Sequence, residues 1–428
     1  MNKLASELNA TLGPAADFLS ENGKRMYFPF GGILGQGAEA KECAINATIG
    51  MAFEDDSSPL VLDSFAKSLN LDKKAFLYMG SFGMPMLRDV WKGMQKQKNP
   101  SLEKVKYSQP VVTHALTHGL KICAELFADR DDELVIPDLF WDNYELIFQE
   151  SAGCKIRKFN TFTRHGRFDT DAMKAALTSK GDKKILILNF PNNPTGYTPT
   201  EEDAKAIVAS VKTAVRKNKR VVVILDDAYY GLVYEPGVHG ESLFGDFCKA
   251  DDRILAVKLD GTTKEDYAWG LRIGFISFGG KLLTEDAQFK ALEAKAAGVV
   301  RASISNCSSL GQNIAFNAYL DKDYGKQKER KYKVLKRRYD MVRKILATHP
   351  EYTKVAFKPM PFNSGYFMCV KPIAVEAEDV RRRLIKKYST GTIVLSGLIR
   401  ISYSTVPTAK LKKLFENIYN AICDLQMA

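Results

Sequence analysis

Lys264 follows the apolar run Ile254–Leu259 and the string Gly261-Thr262-Thr263, and Arg272 stands eight residues further on. A neutral lysine amine can form a Schiff base with a carbonyl, and a desolvated or cationic setting favours the neutral form. On its own, a lysine just past a strand reads as a surface residue, so its neighbours matter. Asp226 ends a second apolar run, Val221–Leu225, and opens Asp226-Asp227-Ala228-Tyr229-Tyr230-Gly231. A carboxylate there is expected to be partly buried, which is costly without a cationic partner. The alternative is a helix cap. A third run, Lys184–Phe190, leads into Asn189-Phe190-Pro191-Asn192-Asn193-Pro194-Thr195-Gly196. Asn-Pro-Thr-Gly is good turn chemistry, but a turn alone does not need the whole string. Arg400 lies in an apolar, strand-like run, where an unpaired charge is expensive unless that position faces solvent.

These residues must be positioned by the elements around them. From about residue 75 to 280 short apolar strands alternate with helical stretches. The strands are Glu133–Ile136, Lys184–Phe190, Val221–Asp226, Ile254–Leu259 and Ile273–Phe278; the helices are Met84–Gln97, Leu116–Ala128, Thr200–Lys217 and Thr284–Ala297. Near-continuous Val/Ile/Leu strands alternating with helices predict a mainly parallel sheet covered on both faces. In such sheets ligands bind at the carboxyl ends of the strands, where these three motifs fall. Further on the pattern changes. Strand-like pieces (Tyr366–Val370, Ile399–Tyr403) and helices (Val375–Lys387, Thr408–Leu425) predict a smaller α+β domain.

The 428 residues are 45% hydrophobic and 26% charged, an ordinary globular balance. No apolar run approaches the ~20 residues of a membrane span, and no secretory block opens the chain. Seven widely spaced cysteines with no CxxC fit a reducing cytoplasm, and the five histidines show no metal-ligand spacing. The net charge of +12 raises the question of nucleic acid. Much of it is local: Lys326–Lys344 holds ten Lys/Arg against Glu329 and Asp340, a balance of +8. Leu335, Tyr339, Val342 and Leu346 recur there at helical spacing, which predicts a long helix with one buried stripe and a solvated basic face. No recognition motif accompanies the charge.

Taken together, the order and spacing of the three strand-end motifs resemble the aspartate aminotransferase superfamily of pyridoxal-phosphate (PLP) enzymes. The resemblance implies an α/β fold with a mainly parallel seven-stranded sheet in a large domain, residues 58–325, and a small α+β domain built from residues 1–57 and 326–428. It implies that Lys264 holds PLP as a Schiff base. Asp226 then pairs with the pyridinium nitrogen, Asn193 and Tyr229 donate to the ring's phenolic oxygen, and Arg272 holds the phosphate. A buried carboxylate keeps the ring nitrogen protonated, and Lys264, once displaced, moves the proton between Cα and C4′.

The resemblance extends along most of the chain. Ile45–Gly50 is similar to a segment that closes over substrate, which brings Gly50 to the substrate. Tyr78, in Tyr78–Pro85, resembles a tyrosine that reaches a neighbouring subunit's phosphate. Thr113–Gly119 resembles the phosphate loop and supplies Ala115, Leu116 and Thr117 at a helix start, where backbone amides bind anions. Trp141 resembles the aromatic residue stacked on the ring. Arg301 and Ser305 resemble residues contributed by the partner subunit, the arginine to a distal carboxylate and the serine to phosphate. Arg400 resembles the clamp on the substrate α-carboxylate. The implied protein is a homodimer with shared sites. It moves an amino group between an L-amino acid, dicarboxylic or aromatic, and a 2-oxo acid such as 2-oxoglutarate.

Four positions depart from the pattern. Ala115 and Leu116 replace small or hydroxylated residues, Gly261 stands where many members have a serine, and Tyr144 replaces a histidine behind the aspartate. Other readings remain open in the sequence. The lesser alternative for Tyr78 and Trp141 is a core aromatic, and for Arg301 a solvated arginine after a helix. The cluster Gly31, Gly32, Gly35 and Gly37 hints at a dinucleotide loop but has no βαβ unit around it. A carbon–sulfur β-lyase or an amino-acid decarboxylase would keep the cofactor and change the reaction. A nucleic-acid-binding regulator of this fold is a further rival, and no helix-turn-helix pattern precedes the fold in this sequence.

Overall fold

The computed structural model describes residues 1–29, 31–216 and 219–427. Seven strands form its main sheet: β1 (Val111–Thr113), β2 (Glu133–Pro137), β3 (Lys155–Phe159), β4 (Lys183–Asn189), β5 (Arg220–Asp226), β6 (Ile254–Gly261) and β7 (Gly274–Gly279). Their order across the sheet is β1-β7-β6-β5-β4-β2-β3. Only β7 runs antiparallel to its neighbours. Alternate residues of each strand enter different cores. Leu186, Leu188, Val223 and Leu225 pack with Met173, Ile207 and Val211. Ile185, Ile187, Val222, Ile224 and Leu259 pack with Leu120 and other residues on the opposite face. Both faces are thus buried, which is why these strands read as unbroken apolar runs.

Two strands of this sheet leave no mark in the sequence pattern. β1 has only three residues, and β3 is an edge strand whose Lys155, Arg157 and Lys158 are exposed. The remaining strands move by one or two residues at their ends. The helix expected over Thr200–Lys217 is observed as Glu201–Val215, and Lys217 lies outside the described residues. The helix expected over Thr284–Ala297 runs Asp286–Ile304, so Arg301 lies in its last turn instead of following it.

A four-stranded antiparallel sheet comes later in the chain: β8 (Phe357–Pro359), β9 (Phe367–Pro372), β10 (Ile393–Leu395) and β11 (Leu398–Ser402), in the order β10-β11-β9-β8. Helices Ala377–Tyr388 and Leu411–Gln426 accompany it. Ile45–Asn46 pairs in parallel with Thr390–Gly391, tying an early segment to this late one. The basic helix spans Tyr324–Thr348; Leu335, Tyr339, Val342 and Ile345 are buried while Leu346 is only half-buried. Its face also buries Arg338, whose guanidinium donates to Ser404 O at 2.5 Å and Asp55 Oδ1 at 2.8 Å. Among the described residues no helix is long and apolar enough to cross a membrane.

Candidate active site

The sheet register puts the chemical residues along one edge. Asn189 stands opposite Asp226, Asp226 opposite Leu259, and Gly261 opposite Gly274, which in turn faces Thr113. The segments that leave β1, β4, β5 and β6, and the one that enters the antiparallel β7, therefore converge. A cavity of about 280 Å³ lies there. Its wall includes eleven residues singled out from sequence: Gly50, Ala115, Leu116, Thr117, Trp141, Asn193, Asp226, Tyr229, Lys264, Arg272 and Arg400. Ile33, Tyr144, Asn189, Ala228, Thr263 and Phe367 complete it.

Asp226 is 3% exposed. Its Oδ2 accepts from Tyr144 Oη at 2.6 Å and its Oδ1 from Ala228 N at 3.2 Å. A turn follows it where a helix cap would need a helix, so the capping alternative fails. Burial raises its carboxyl above the ordinary value, opposed by the Tyr144 hydrogen bond and the charge of Lys264. Asn189 Nδ2 donates to Asp226 O at 2.8 Å, and Asn189 Oδ1 accepts from Asn193 N at 2.8 Å, which ties the two strand ends together.

Lys264 sits in the single turn Thr262–Glu265 that follows β6. Burial pulls its amine down to about 8; the nearby Asp226 charge raises it and Arg272 lowers it further. The amine lies 5.2 Å from the centre of the Tyr229 ring. Arg272 precedes β7 in a left-handed conformation (φ 55°). Among the described residues its guanidinium has one acceptor, Trp269 O at 3.5 Å. Ala115 also has a positive φ, 59°, at the start of the helix Ala115–Phe127. That places the helix N-terminus, with its unsatisfied amides, at the cavity wall. Gly261 has a steric reason to be glycine: a Cβ there would lie 2.6 Å from Gly274 Cα and 2.7 Å from Ile273 O. A serine cannot enter without moving β7.

Arg400 comes from β11 and is 1% exposed, so the solvent-facing alternative fails. It donates from Nη1 to Asn193 Oδ1 at 3.1 Å and from Nη2 to Thr48 O at 2.8 Å. Its Nε is buried with no partner, and no carboxylate pairs with it among the described residues. The Phe367 ring lies 4.4 Å beneath its guanidinium. Asn193 gives its oxygen to Arg400, which leaves its amide donors for something else. Gly196 (φ 73°) brings the Asn193 loop against β9: a Cβ there would overlap Phe367 O at 1.9 Å.

Three residues assigned from sequence, Tyr78, Arg301 and Ser305, do not line this cavity. Tyr78 is 95% exposed, which removes the core alternative for it. Arg301 is exposed and donates to Ser305 Oγ at 2.6 Å. Trp141, by contrast, does line the cavity, edge-on to Tyr144 at 5.7 Å. The glycine cluster surrounds the start of the short helix Ile33–Glu39, and Ile33 reaches the cavity; nothing in its local pattern announced that.

The wall as a whole offers a buried carboxylate, a lysine with a depressed pKa, a weakly partnered guanidinium beside a helix N-terminus, and an aromatic face. These donors fit PLP, which carries a ring nitrogen, an aldehyde and a phosphate dianion. The orphaned Arg400 donor fits a substrate carboxylate in the same space.

The Bacillus subtilis aspartate aminotransferase is 25% identical over 261 residues, which is 60% of this chain and 60% of that one. The chain thus spans under two thirds of that relative's length. The Pyrococcus horikoshii aspartate aminotransferase is 23% identical over 362 residues, 84% of this chain and 86% of the relative. An aminotransferase from Anaerococcus prevotii has the same fold, with a TM-score of 0.82 at 21% identity, over 93% of this chain and 98% of that one. The Thermus thermophilus aspartate aminotransferase solved with maleate gives 0.75 at 20% identity, over 94% and 99%. Residues 54–418 match the family described as aminotransferase class I and II, and the chain belongs to that family.

Proposed function

We propose that this protein is a PLP-dependent aminotransferase working by a ping-pong cycle, with a dicarboxylate as at least one partner. The observation that carries the reading is the buried Arg400 guanidinium, its Nε unpartnered and no carboxylate within ion-pair distance among the described residues, in the same cavity as Lys264; Asp142 acts on it only from further away. A buried charge of this kind is expensive unless an anion completes it. An amino acid or 2-oxo acid brings that anion and places its Cα chemistry near the lysine.

In this reading Lys264 holds the cofactor, Asp226 faces its ring nitrogen, and Asn193 and Tyr229 face its phenolic oxygen. Arg272, Thr117 and the backbone amides at Ala115 and Leu116 take the phosphate, and Trp141 covers the ring. When bound, PLP supplies the electron sink that lets a proton leave Cα. The chain's own groups do the rest. Arg400 orients the α-carboxylate as a two-pronged fork. Phe367 and Gly50 close the space around it. Above pH about 8 the Lys264 amine is neutral and can accept the Cα proton at Nζ and return it. Tyr144 holds the Asp226 carboxylate in one orientation.

Tyr78, Arg301 and Ser305 belong, in this proposal, to the site of a second copy, in a two-fold dimer with shared sites. The exposure of Phe76, Leu77, Tyr78 and Met86 supports it, as does the Ser81 Oγ to Ser305 O bond of 2.8 Å that joins their segment to Ser305. The division into a large domain, 58–325, and a small one, 1–57 with 326–428, is part of the same reading. Pairing of Ile45–Asn46 with Thr390–Gly391 supports it. The test is a transamination screen of the purified, PLP-loaded protein against about twenty amino acids with 2-oxoglutarate. The expected result is amino transfer with glutamate formed. PLP-dependent loss of CO2 or of a β-substituent, with no transfer, would overturn the proposal.

A further inference from the structure

Behind Lys264, on the side away from the cavity, two consecutive acids are buried. Glu265 is 1% exposed and Asp266 0%. Glu265 Oε1 accepts from Lys98 Nζ and, at 2.8 Å, from Lys328 Nζ, while its Oε2 is buried without a partner among the described residues. Asp266 accepts from Tyr319 Oη at 2.8 Å and Tyr324 Oη at 2.6 Å, and Lys328 Nζ stands 3.1 Å from it. The two lysines hold Glu265 below its ordinary pKa, and the two acids hold Lys328 above its own, so the Glu265–Lys328 pair is ionised. The partners come from three helices: Pro85–Lys98, Ser309–Leu320 and Tyr324–Thr348. From another direction Tyr366 Oη donates to Lys264 O at 3.1 Å.

Burying the two carboxylates is costly, even though Lys98 and Lys328 stay 20% and 25% exposed at the wall of a second cavity. Well-packed apolar residues often give equal or greater stability than a buried ion cluster, whereas removing one partner leaves an uncompensated charge. What the cluster does provide is direction: five donors, four of them on three helices, fix the backbone at and just after the reactive lysine. The helix that bears Lys328 is itself anchored ten residues on, about 15 Å along its axis, where Arg338 grips Asp55 and Ser404.

We propose that Glu265 and Asp266, held chiefly through Lys328, are positioning residues for Lys264: they set the angle at which its amine meets the cofactor. The proposal rests on the reading of Lys264 as the lysine that bonds the cofactor. It predicts a selective loss. Pyridoxal phosphate bonds to Lys264, whereas pyridoxamine phosphate has the same ring and phosphate but no aldehyde. Affinities for both are measured on the unloaded protein by fluorescence quenching. Lys328→Met should weaken pyridoxal phosphate by at least about tenfold, the scale of one lost charged hydrogen bond, and leave pyridoxamine phosphate within about twofold. Lys328→Arg should restore most of the difference. Equal weakening of both ligands, or of neither, overturns the proposal. If Lys328→Met does not fold, Tyr324→Phe removes a single hydroxyl from Asp266 and should show the same selectivity at about threefold; unchanged affinities overturn it. A wild-type protein in which borohydride fixes no pyridoxal phosphate to Lys264 overturns the reading of Lys264, and the positioning role with it.

Discussion

At Asp226 the carboxylate is 3% exposed and held by a tyrosine hydroxyl and a backbone amide; at Tyr78 the side chain is 95% exposed. Motifs in the sequence point both residues to one kind of site. The first belongs to a group, with Asn193, Lys264 and Arg272, delivered by strand ends whose register leaves little choice of position. The second belongs to a group, with Arg301 and Ser305, that lies outside the cavity on segments joined by the Ser81–Ser305 bond. A folded strand edge is complete within one chain. An exposed tyrosine and arginine contribute to a cavity only if another surface comes to them. The difference separates the part of the site that one chain assembles from the part proposed to need two.

The largest effect is expected at the lysine. Lys264→Ala should lower kcat by at least about a thousandfold, within the range of a lost acid–base group, and abolish borohydride fixation of PLP. Retention of full transamination would remove the inner group's claim to the chemistry. Asp226→Asn comes next: turnover should fall roughly tenfold to a hundredfold, as for a lost charged hydrogen bond, with PLP still bound. A change in melting temperature alone, with kcat intact, would mean that Asp226 serves only packing.

At the outer group the effects are smaller and selective. Arg301→Leu should depress kcat/KM for dicarboxylates by about tenfold or more while sparing aromatic substrates. Equal loss for both classes would assign Arg301 a structural role. Mixing Lys264→Ala chains with Tyr78→Phe chains should restore part of the lost activity, because one of the two hybrid sites is then intact. No recovery after proven subunit exchange would place Tyr78 outside the neighbouring site. The least effect expected is in titration. In unloaded protein, labelling of Lys264 by an amine reagent should have its midpoint near pH 8, since burial favours the neutral amine. Its reactivity should therefore rise through pH 8, and a midpoint near the ordinary lysine value would contradict a desolvated Lys264.

Much of the inner site was legible in the amino-acid sequence, for a local reason. A strand buried on both faces is an unbroken apolar run, and the residue that ends it is marked by the change in chemistry. Asp226 after Val221–Leu225 and Lys264 after Ile254–Leu259 are such cases. The long basic helix was legible too, because its buried stripe repeats at helical spacing. Strands β1 and β3 were not: one is too short for a pattern, and the other is an edge strand with three charged, exposed residues.

Every pairing across distance, by contrast, was set by packing. Tyr144 meets Asp226 across 82 positions and Lys328 meets Glu265 across 63, and no periodicity links them. That Arg400 has no carboxylate in direct contact among the described residues is likewise invisible until its neighbours are known. The placement of Ile33 in the cavity, and the reason Gly261 admits no serine, depend on backbones that approach from distant parts of the chain. Apolar patterning acts between residues a few positions apart and so is written in the sequence; charge compensation and steric exclusion act through space and are set only when the elements pack.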